Sequence, residues 1–143
     1  MNVVFWVILG IFIAVLIAAF YKRYKMIAKM SNTPDSEKLV ILTDANFKKK
    51  ISKGVSLVDF WAEWCTPCKI QGPVVSELAE EMSDQVQICK LDVQNNQKVA
   101  KELGIRNIPT ILIFKDGKVV NKYVGVKPKP VLMKGIKSAL ANQ

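Results

Sequence analysis

Two cysteines placed three residues apart are the part of this sequence best suited to chemistry. Cys65 and Cys68 directly follow the apolar segment Val55–Trp61 and open a helical pattern. Unpaired amide groups and the helix dipole favour a thiolate at a helix N-terminus. We therefore predict that Cys65 is a nucleophile and that Cys68, one turn further and more buried, is a resolving thiol. Pro67 should hold this first turn rigid and keep the two sulfurs at bonding distance.

Other uses of this cysteine pair fit the sequence less well. The chain has three Cys and no His, so a zinc site lacks ligands, and catalysis by Ser-His-Asp or Cys-His groups is excluded. A purely structural disulfide over so short a loop would stabilise the fold little. The remaining cysteine, Cys89, lies in a predicted strand, where we expect a small buried hydrophobe; a regulatory disulfide is the alternative. A cysteine pair at a strand-to-helix junction is typical of a redox site.

The elements around the pair alternate between strands and helices. Hydrophobic periodicity predicts strands over residues 38–42, 55–61, 86–93, 110–114 and 119–124. It also predicts four helices. The first begins at a Thr43 cap and ends at Gly54, and the second covers residues 65–82 with an interruption at Pro73. The third begins at Asn95 or Asn96 and ends just before Gly104, and the fourth begins at Pro130 and carries the apolar stripe Leu132, Ile136 and Leu140. Asp116-Gly117 predicts a hairpin between the last two strands. This order predicts an α/β fold with a central mixed sheet covered by helices.

Several motifs in register resemble the thioredoxin family. They are Val58-Asp59-Phe60-Trp61-Ala62-Glu63-Trp64-Cys65-Thr66-Pro67-Cys68-Lys69, the segment 104–110 (Gly-Ile-Arg-Asn-Ile-Pro-Thr), the turn at 114–117, and Val124-Gly125. The resemblance covers about residues 38–142. It implies the thioredoxin fold and thiol–disulfide oxidoreductase activity on protein disulfides. It also implies a redox-active Cys65–Cys68 disulfide with no bound cofactor or metal, and an electron donor such as a thioredoxin reductase or a membrane thiol relay.

The resemblance assigns supporting roles near the cysteines. Trp64 matches the tryptophan that walls the site in this family. Asp59 matches the buried carboxyl behind the second cysteine, where a dry strand should raise its pKa and allow proton exchange with Cys68 through water. The alternative is a structural acid paired with Lys90, which matches the lysine that neighbours this carboxyl in thioredoxins.

The resemblance also implies a substrate groove. Pro109 matches the family's cis-proline, which would place the Ile108 backbone beside the sulfurs and ready to pair with an extended substrate. Val124, Gly125 and Val126 would complete an apolar groove for protein substrates.

Four positions at three sites depart from the family pattern. Thr66 replaces the usual glycine after the first cysteine; it should stiffen the loop, and its hydroxyl could hydrogen-bond a sulfur. Asn107 replaces a glycine before Ile-Pro, so the fit of the substrate should differ. Gln71-Gly72 replaces a more apolar pair in the following helix. None of these changes removes a catalytic group.

The N-terminal residues form a separate segment. Between Val3 and Phe20 every residue except Gly10 is apolar, and as a helix this run would span roughly 27 Å of a hydrocarbon core of about 30 Å. Four basic residues follow it: Lys22, Arg23, Lys25 and Lys29. A cleaved signal peptide would carry its charge before the run, and a buried core helix would keep some polar face. A single transmembrane anchor, contacting lipid over residues 3–21, fits best.

The basic flank bears on topology and on the net charge of +9. By the positive-inside rule the flank, and with it the rest of the chain, is expected in the cytoplasm; an extracytoplasmic domain is the alternative. Residues 1–30 carry four basic and no acidic side chains, so nearly half of the excess positive charge lies in the membrane flank.

The cluster Lys48, Lys49, Lys50 and Lys53 is expected to be a solvated helix face, with lipid contact as the alternative. Nothing in this distribution indicates nucleic-acid binding.

The resulting organisation is an anchor over 1–30, a polar linker over 31–37 and a thioredoxin domain over 38–143. Three functions remain open for it. The first is a membrane-anchored reductase of protein disulfides. The second is an outward-facing oxidase or isomerase of the same fold. The third is a non-catalytic binding module tethered to a membrane.

Overall fold

The structure, a computed structural model, describes residues 2–31 and 34–141, which divide into two compact units between residues 33 and 34. Asn32 and Thr33 of the predicted linker, and Asn142 and Gln143 at the predicted end of the domain, lie outside the described residues. The first unit is one helix, α1 (Asn2–Ser31). Its stretch Asn2–Lys25 is long and apolar enough to cross a membrane, and the side chains of its apolar window are not buried.

The second unit is a five-stranded mixed sheet flanked by helices. The strands are β1 (Val40–Leu42), β2 (Val55–Trp61), β3 (Gln87–Asp92), β4 (Thr110–Lys115) and β5 (Lys118–Val124). The helices are α2 (Phe47–Ile51), α3 (Thr66–Met82), α4 (Gln97–Glu102) and α5 (Lys129–Ala141). The strand order is β1-β3-β2-β4-β5, in which β1, β3 and β2 run parallel while β4 and β5 pair antiparallel. The predicted mixed sheet with flanking helices is confirmed.

Side-chain alternation along the central strand β2 divides the core between the two faces of the sheet. Val55 and Leu57 point into a cluster with apolar side chains of α3 and α5. Val58 and Phe60 point the other way, into a cluster with side chains of α2 and α4. Asp59 has the same parity as Val55 and Leu57, so it belongs to the α3/α5 face. Burial on both faces explains why every residue of this strand except Ser56 and Asp59 is apolar.

Several predicted boundaries move by a few residues for local reasons. The first strand begins at Val40 instead of residue 38, because the Leu39 amide donates to the Ser36 carbonyl and closes a turn there. Thr43 does not cap α2; its backbone amide donates to Asn46 Oδ1, which makes a separate turn before the helix begins at Phe47. The predicted interruption at Pro73 is absent, since α3 runs through that residue as one helix.

The last hairpin and the last helix close the fold. Asp116 and Gly117 both have positive φ, at 48° and 79°, which is the backbone that a two-residue hairpin turn requires. Gly135 lets α5 lie directly against the sheet: a Cβ there would be 2.8 Å from Ile113 Cδ1 and would collide with the Tyr123 hydroxyl. This contact fixes α5 behind β4 and β5, whose ends supply part of the site.

Candidate active site

The cysteine pair lies at the junction between β2 and α3. Cys65 is the N-cap residue of α3, with an extended backbone, and its amide donates to the Ala62 carbonyl at 3.1 Å. Pro67 lies within the first turn, where a missing backbone donor costs nothing. The two sulfurs form a disulfide, and the Cys68 amide donates to Cys65 Sγ at 3.3 Å. A donor aimed at this sulfur at a helix N-terminus favours negative charge on Cys65.

The two cysteines are almost equally buried in this disulfide form. Cys65 is 4% exposed and Cys68 3%, so the predicted difference in burial is only slight in this state. The physical reason is that both belong to one small cluster with Ala62, which is covered by Trp61, Val93 and Ile108. The difference between the two sulfurs therefore comes from their positions in the helix and from the hydrogen bond that the Cys68 amide donates to Cys65 Sγ, not from burial.

Three neighbours of the pair lie at the surface. Trp64 is 69% exposed, and Thr66 and Pro67 are exposed between the two cysteines. Across residues 2–31 and 34–141, no hydrogen bond runs from the Thr66 hydroxyl to either sulfur; the backbone amide of Cys68 fills that role. The exposed indole beside a buried disulfide forms an apolar surface at the edge of the site.

The two predicted groove loops are joined to each other, and one of them packs against the cysteine cluster. The Ile108–Pro109 peptide is cis, and Ile108 packs against the cysteine cluster. The Pro109 carbonyl accepts from the Gly125 amide at 2.8 Å, which ties the two loops to each other. The Asn107 carbonyl accepts from the Thr110 hydroxyl at 2.6 Å, while Val124 and Val126 remain 47% and 39% exposed.

Asp59 is fully buried on β2 behind the site. Within the described residues, neither of its carboxylate oxygens has a hydrogen-bond partner. Burial raises the pKa of Asp59 to about 7, the direction that the sequence predicted; the positive charge of Lys90 acts against this rise, and the negative charge of Asp35 adds to it. A carboxyl with this pKa changes its protonation state near neutral pH.

Lys90 is directly opposite Asp59 in the register of β2 and β3, as the family resemblance implied. Its ammonium, however, binds Asp35: Nζ is 2.7 Å from Oδ2 and 2.9 Å from Oδ1. It also lies 4.4 Å from the centre of the Trp61 ring, within the range of a cation–π contact. Among the described residues no hydrogen bond joins Lys90 to Asp59, because Asp35 takes that role, although the charge of Lys90 still acts on the Asp59 carboxyl.

Two residues near the site have roles that the sequence analysis missed. Asp35, which the sequence assigned to the linker, belongs to the second unit and binds the Lys90 ammonium. Gln71, noted only as a departure from the family, is fully buried; its Oε1 accepts from the Lys127 amide at 2.7 Å and its Nε2 donates to the Lys127 carbonyl at 3.2 Å. A lone polar residue within an apolar helix face was the available signal for Gln71. No local signal marked Asp35.

The third cysteine lies away from this site. Cys89 is fully buried on β3 in the cluster that faces α2 and α4, and burial raises the pKa of its thiol to about 12. Over residues 2–31 and 34–141, the structure contains no group of three or more His, Cys, Asp or Glu side chains that could hold a metal ion.

Comparisons with known proteins agree with this architecture. The protein-family model for thioredoxin matches residues 38–138. The thioredoxin of Bacillus subtilis (strain 168) is 50% identical over 94 residues, which are 66% of this chain and 90% of the relative. The thioredoxin of Staphylococcus aureus (strain Mu50 / ATCC 700699) is 48% identical over 91 residues, which are 64% of this chain and 88% of the relative.

Members of this family act on disulfide substrates together with reductase partners, and they need no cofactor beyond their redox-active disulfide. The matched region contains β1 to β5, the Cys65–Cys68 pair and the cis-Pro109 loop. The chain therefore belongs to the thioredoxin family and is a thioredoxin-like protein-disulfide oxidoreductase.

Proposed function

We propose that this protein is a membrane-anchored reductase of protein disulfides. The single observation that supports this most strongly is the placement of Cys65 as the N-cap of α3, with the Cys68 amide donating to its sulfur. This environment stabilises a thiolate at Cys65, which is the form that attacks a disulfide.

The first step is attack on the substrate by the reduced protein. The Cys65 thiolate attacks one sulfur of a substrate disulfide, a Cys65–substrate disulfide forms, and the other substrate sulfur leaves as a thiolate that takes a proton from water. Ile108 packs against the pair, and its backbone would hold an extended substrate segment together with the exposed side chains of Trp64, Val124 and Val126.

The second step resolves this mixed disulfide. The Asp59 carboxylate takes the proton of the Cys68 thiol through water, and the Cys68 thiolate attacks Cys65 Sγ. The Cys65–substrate bond breaks, the substrate sulfur leaves as a thiolate, and the Cys65–Cys68 disulfide forms. Two electrons have then moved from the protein to the substrate, and a dithiol donor, such as a thioredoxin reductase or a membrane thiol relay, must return them. A pKa of about 7 allows Asp59 both to accept and to release this proton near neutral pH.

The mechanism is tested by reduction of insulin disulfides with the full chain in detergent. Cys65→Ser should abolish turnover, because the nucleophile is lost. Cys68→Ser should still form a mixed disulfide and then stop, which trapping by mass spectrometry would detect. Cys89→Ser is the matched control and should keep full activity, since Cys89 is buried on the other face of the sheet. Full turnover by the Cys65→Ser variant would refute the mechanism and favour the non-catalytic binding module.

The direction of exchange is decided by the reduction potential. Thioredoxins lie near about −270 mV, while oxidants and isomerases lie between about −120 and −180 mV. We expect equilibration of the full chain with a glutathione buffer to give a value at the reducing end. A value at the oxidising end would overturn the reductase and favour the outward-facing oxidase or isomerase.

The proposed anchor is α1, and the proposed location of the thioredoxin domain is the cytoplasmic side. Trp6 near one end of the apolar run and Tyr21 and Tyr24 near the other suit the two membrane interfaces, and the basic residues follow the run directly. A single-cysteine chain in which all three native cysteines are replaced tests this. With an impermeant thiol reagent on intact cells, Asn2→Cys should be labelled, and Ser138→Cys should be labelled only after lysis. The reverse pattern would place the domain outside the cytoplasm.

A further inference from the structure

The segment before β1 brings a third ionic group to the site. Asp35 precedes the region matched by the thioredoxin family model, which begins at residue 38. Its carboxylate nevertheless contacts the Lys90 ammonium through both oxygens, and the Lys90 side chain is only 7% exposed. Lys90 in turn is opposite Asp59 in the sheet register. One buried cation is thus hydrogen-bonded to Asp35 and opposite Asp59 in register, and no hydrogen bond joins it to Asp59 within the described residues.

Several contacts hold this segment against α3. The Ser76 hydroxyl is 3.4 Å from Asp35 Oδ1, and it also accepts from the Ser36 amide at 3.4 Å. The Ser36 hydroxyl donates to Glu80, and Lys38 forms an ion pair with the same glutamate at 3.4 Å. The position of Asp35 is therefore set by contacts to the helix that carries Cys68.

Two charged side chains of the described residues act on Asp59. Lys90 reaches it from β3 and Asp35 from the segment before β1, and these are the two charges that shift its pKa. On β4 the residue opposite Asp59 is Ile111, and α5 presents apolar side chains to this face of the sheet. Within residues 2–31 and 34–141, this face also carries Lys115 at the far end of β4, whose Nζ donates to the Ala139 carbonyl of α5 at 3.0 Å, and the Tyr123 phenol of β5, which packs beside Gly135. Cys68 of α3 has no thiol to titrate in the disulfide form.

We propose that Asp35 is a positioning residue for the proton-transfer step: it binds the Lys90 ammonium, withholds that charge from the Asp59 carboxylate, and thereby keeps Asp59 protonated at higher pH. Asp35 adds its own negative charge to the same effect. The segment that connects α1 to the sheet is thus part of the proton machinery. The consequence for turnover rests on the proposed role of Asp59, whereas the effect on Asp59 protonation does not.

The experiment follows the Asp59 carboxyl directly. The full chain in detergent micelles, labelled with ¹³Cγ-aspartate and kept in the disulfide form, is titrated between pH 5 and pH 9, and Asp59→Asn identifies the signal. Keeping the disulfide removes the Cys68 thiol from the titration. Asp35→Asn should lower the midpoint of Asp59 by about one pH unit, because Lys90 is released to it and a negative charge is lost. Lys90→Met should raise the midpoint.

Two variants serve as matched controls. Asp35→Glu keeps the charge and should leave the midpoint within a few tenths of a pH unit of the wild type. Glu102→Gln removes a carboxylate from the exposed ion pair with Lys48 and should not move it. An unchanged midpoint in Asp35→Asn, or the same shift in Glu102→Gln, would overturn the inference. Because Asp35→Asn and Asp35→Glu decide the matter on their own, a Lys90→Met chain that fails to fold does not weaken the test.

A second measurement separates this inference from the proposed function. The rate at which Cys68 resolves a mixed disulfide is measured against pH in the same variants. If Asp59→Asn does not slow this step while Asp35→Asn moves the Asp59 midpoint, the proposed proton transfer fails and the role of Asp35 in setting Asp59 protonation stands. If Asp59→Asn slows the step while Asp35→Asn leaves the midpoint unchanged, the proton transfer stands and the role of Asp35 is wrong.

Discussion

At the scale of single residues, the chemistry depends on how burial and position change a few titratable side chains. Cys65 at a helix N-terminus, with an amide donor on its sulfur, is in an environment that favours a thiolate. Cys89 is fully buried among apolar side chains, and its pKa is raised to about 12. The same side chain is thus in a position that favours the thiolate in one place and disfavours it in the other. Asp59 combines complete burial with the absence of a hydrogen-bond partner among the described residues.

Burial of Asp59 should make folding stability depend on pH. Its pKa is about 7 in the folded chain against an ordinary value of 3.8, so the unfolded chain loses this proton first and stability falls as pH rises between those values. Replacing Asp59 by Asn removes this dependence. The difference in free energy of unfolding between Asp59→Asn and the wild type should therefore shift in favour of the variant by about 2–3 kcal/mol from pH 5 to pH 8.

Urea unfolding of the full chain in detergent at several pH values measures this gain. Glu102→Gln, an exposed carboxyl on α4, is the control and should show a difference from the wild type that hardly changes with pH. A constant difference for Asp59→Asn across this range would contradict the raised pKa.

Cys89 should be unreactive in the folded protein. After reduction, an alkylating reagent at pH 8 should modify Cys65 and Cys68 fully while less than about a tenth of Cys89 reacts. The reason is that burial of Cys89 disfavours its thiolate. In denaturant all three thiols should react. Mass spectrometry of proteolytic fragments counts the modified sites, and rapid modification of Cys89 in the native chain would show that the β3 cluster opens readily.

At the scale of elements, the site is assembled by contacts between segments that are distant in sequence. The loop between β5 and α5 is bonded to the Pro109 carbonyl through the Gly125 amide and to α3 through Gln71. The Gln71 side chain satisfies both backbone groups of Lys127 and is itself fully buried. It fixes the groove loop with respect to the helix that carries Cys68.

Gln71→Leu should loosen this loop. The variant leaves the two partly buried backbone groups of Lys127 without their partner, which should destabilise the fold by about 1–3 kcal/mol. The KM for a protein substrate should rise several-fold, while the reaction of Cys65 with a small disulfide should be unchanged. Ile70→Leu at the exposed neighbouring position is the control. Equal losses with both kinds of substrate would show that Gln71 acts on the disulfide itself.

At the scale of the whole molecule, the chain joins an apolar helix to a domain with a modestly basic surface. The second unit, residues 34–143, buries apolar side chains on both faces of its sheet, whereas the large apolar side chains of α1 from Val3 to Tyr24, except Leu9, are exposed. A helix that is apolar all round is stable in lipid and not in water. The cluster Lys48, Lys49, Lys50 and Lys53 is exposed, as the prediction of a solvated face required.

Membrane association should therefore depend on α1. The full chain should sediment with membranes and resist extraction at alkaline pH. Two charges near the centre of the run, in Ile13→Asp/Leu16→Asp, should each cost about 2.5–3.5 kcal/mol of insertion and release most of the protein. The control, Val119→Asp/Val120→Asp, places the same charges on exposed positions of β5 and should leave the protein in the membrane fraction. Retention of the helix variant would contradict the anchor.

Local pattern was sufficient for much of this protein. The spacing of Cys65 and Cys68, the turn at Asp116-Gly117 and the apolar run Val3–Phe20 depend on residues close in sequence, and the elements that they predict are present. Boundaries moved where a nearby hydrogen bond competed with the pattern, as at Ser36 and Thr43. The family motifs also identified the fold, because each of them lies at the end of a different strand or at a different end of the same strand.

Tertiary structure alone decided which groups meet around these motifs. The sequence showed a lysine near Asp59, but only the fold shows that its ammonium binds Asp35, a residue 55 positions away. Gln71 and Lys127 are separated by 56 positions, and nothing in either local pattern connects them. A hydrogen bond or ion pair depends on distances of a few tenths of a nanometre, which chain spacing does not determine over such separations. The Cys65 chemistry was therefore visible in the sequence, whereas the charges that set the protonation of Asp59 became visible only in the folded chain.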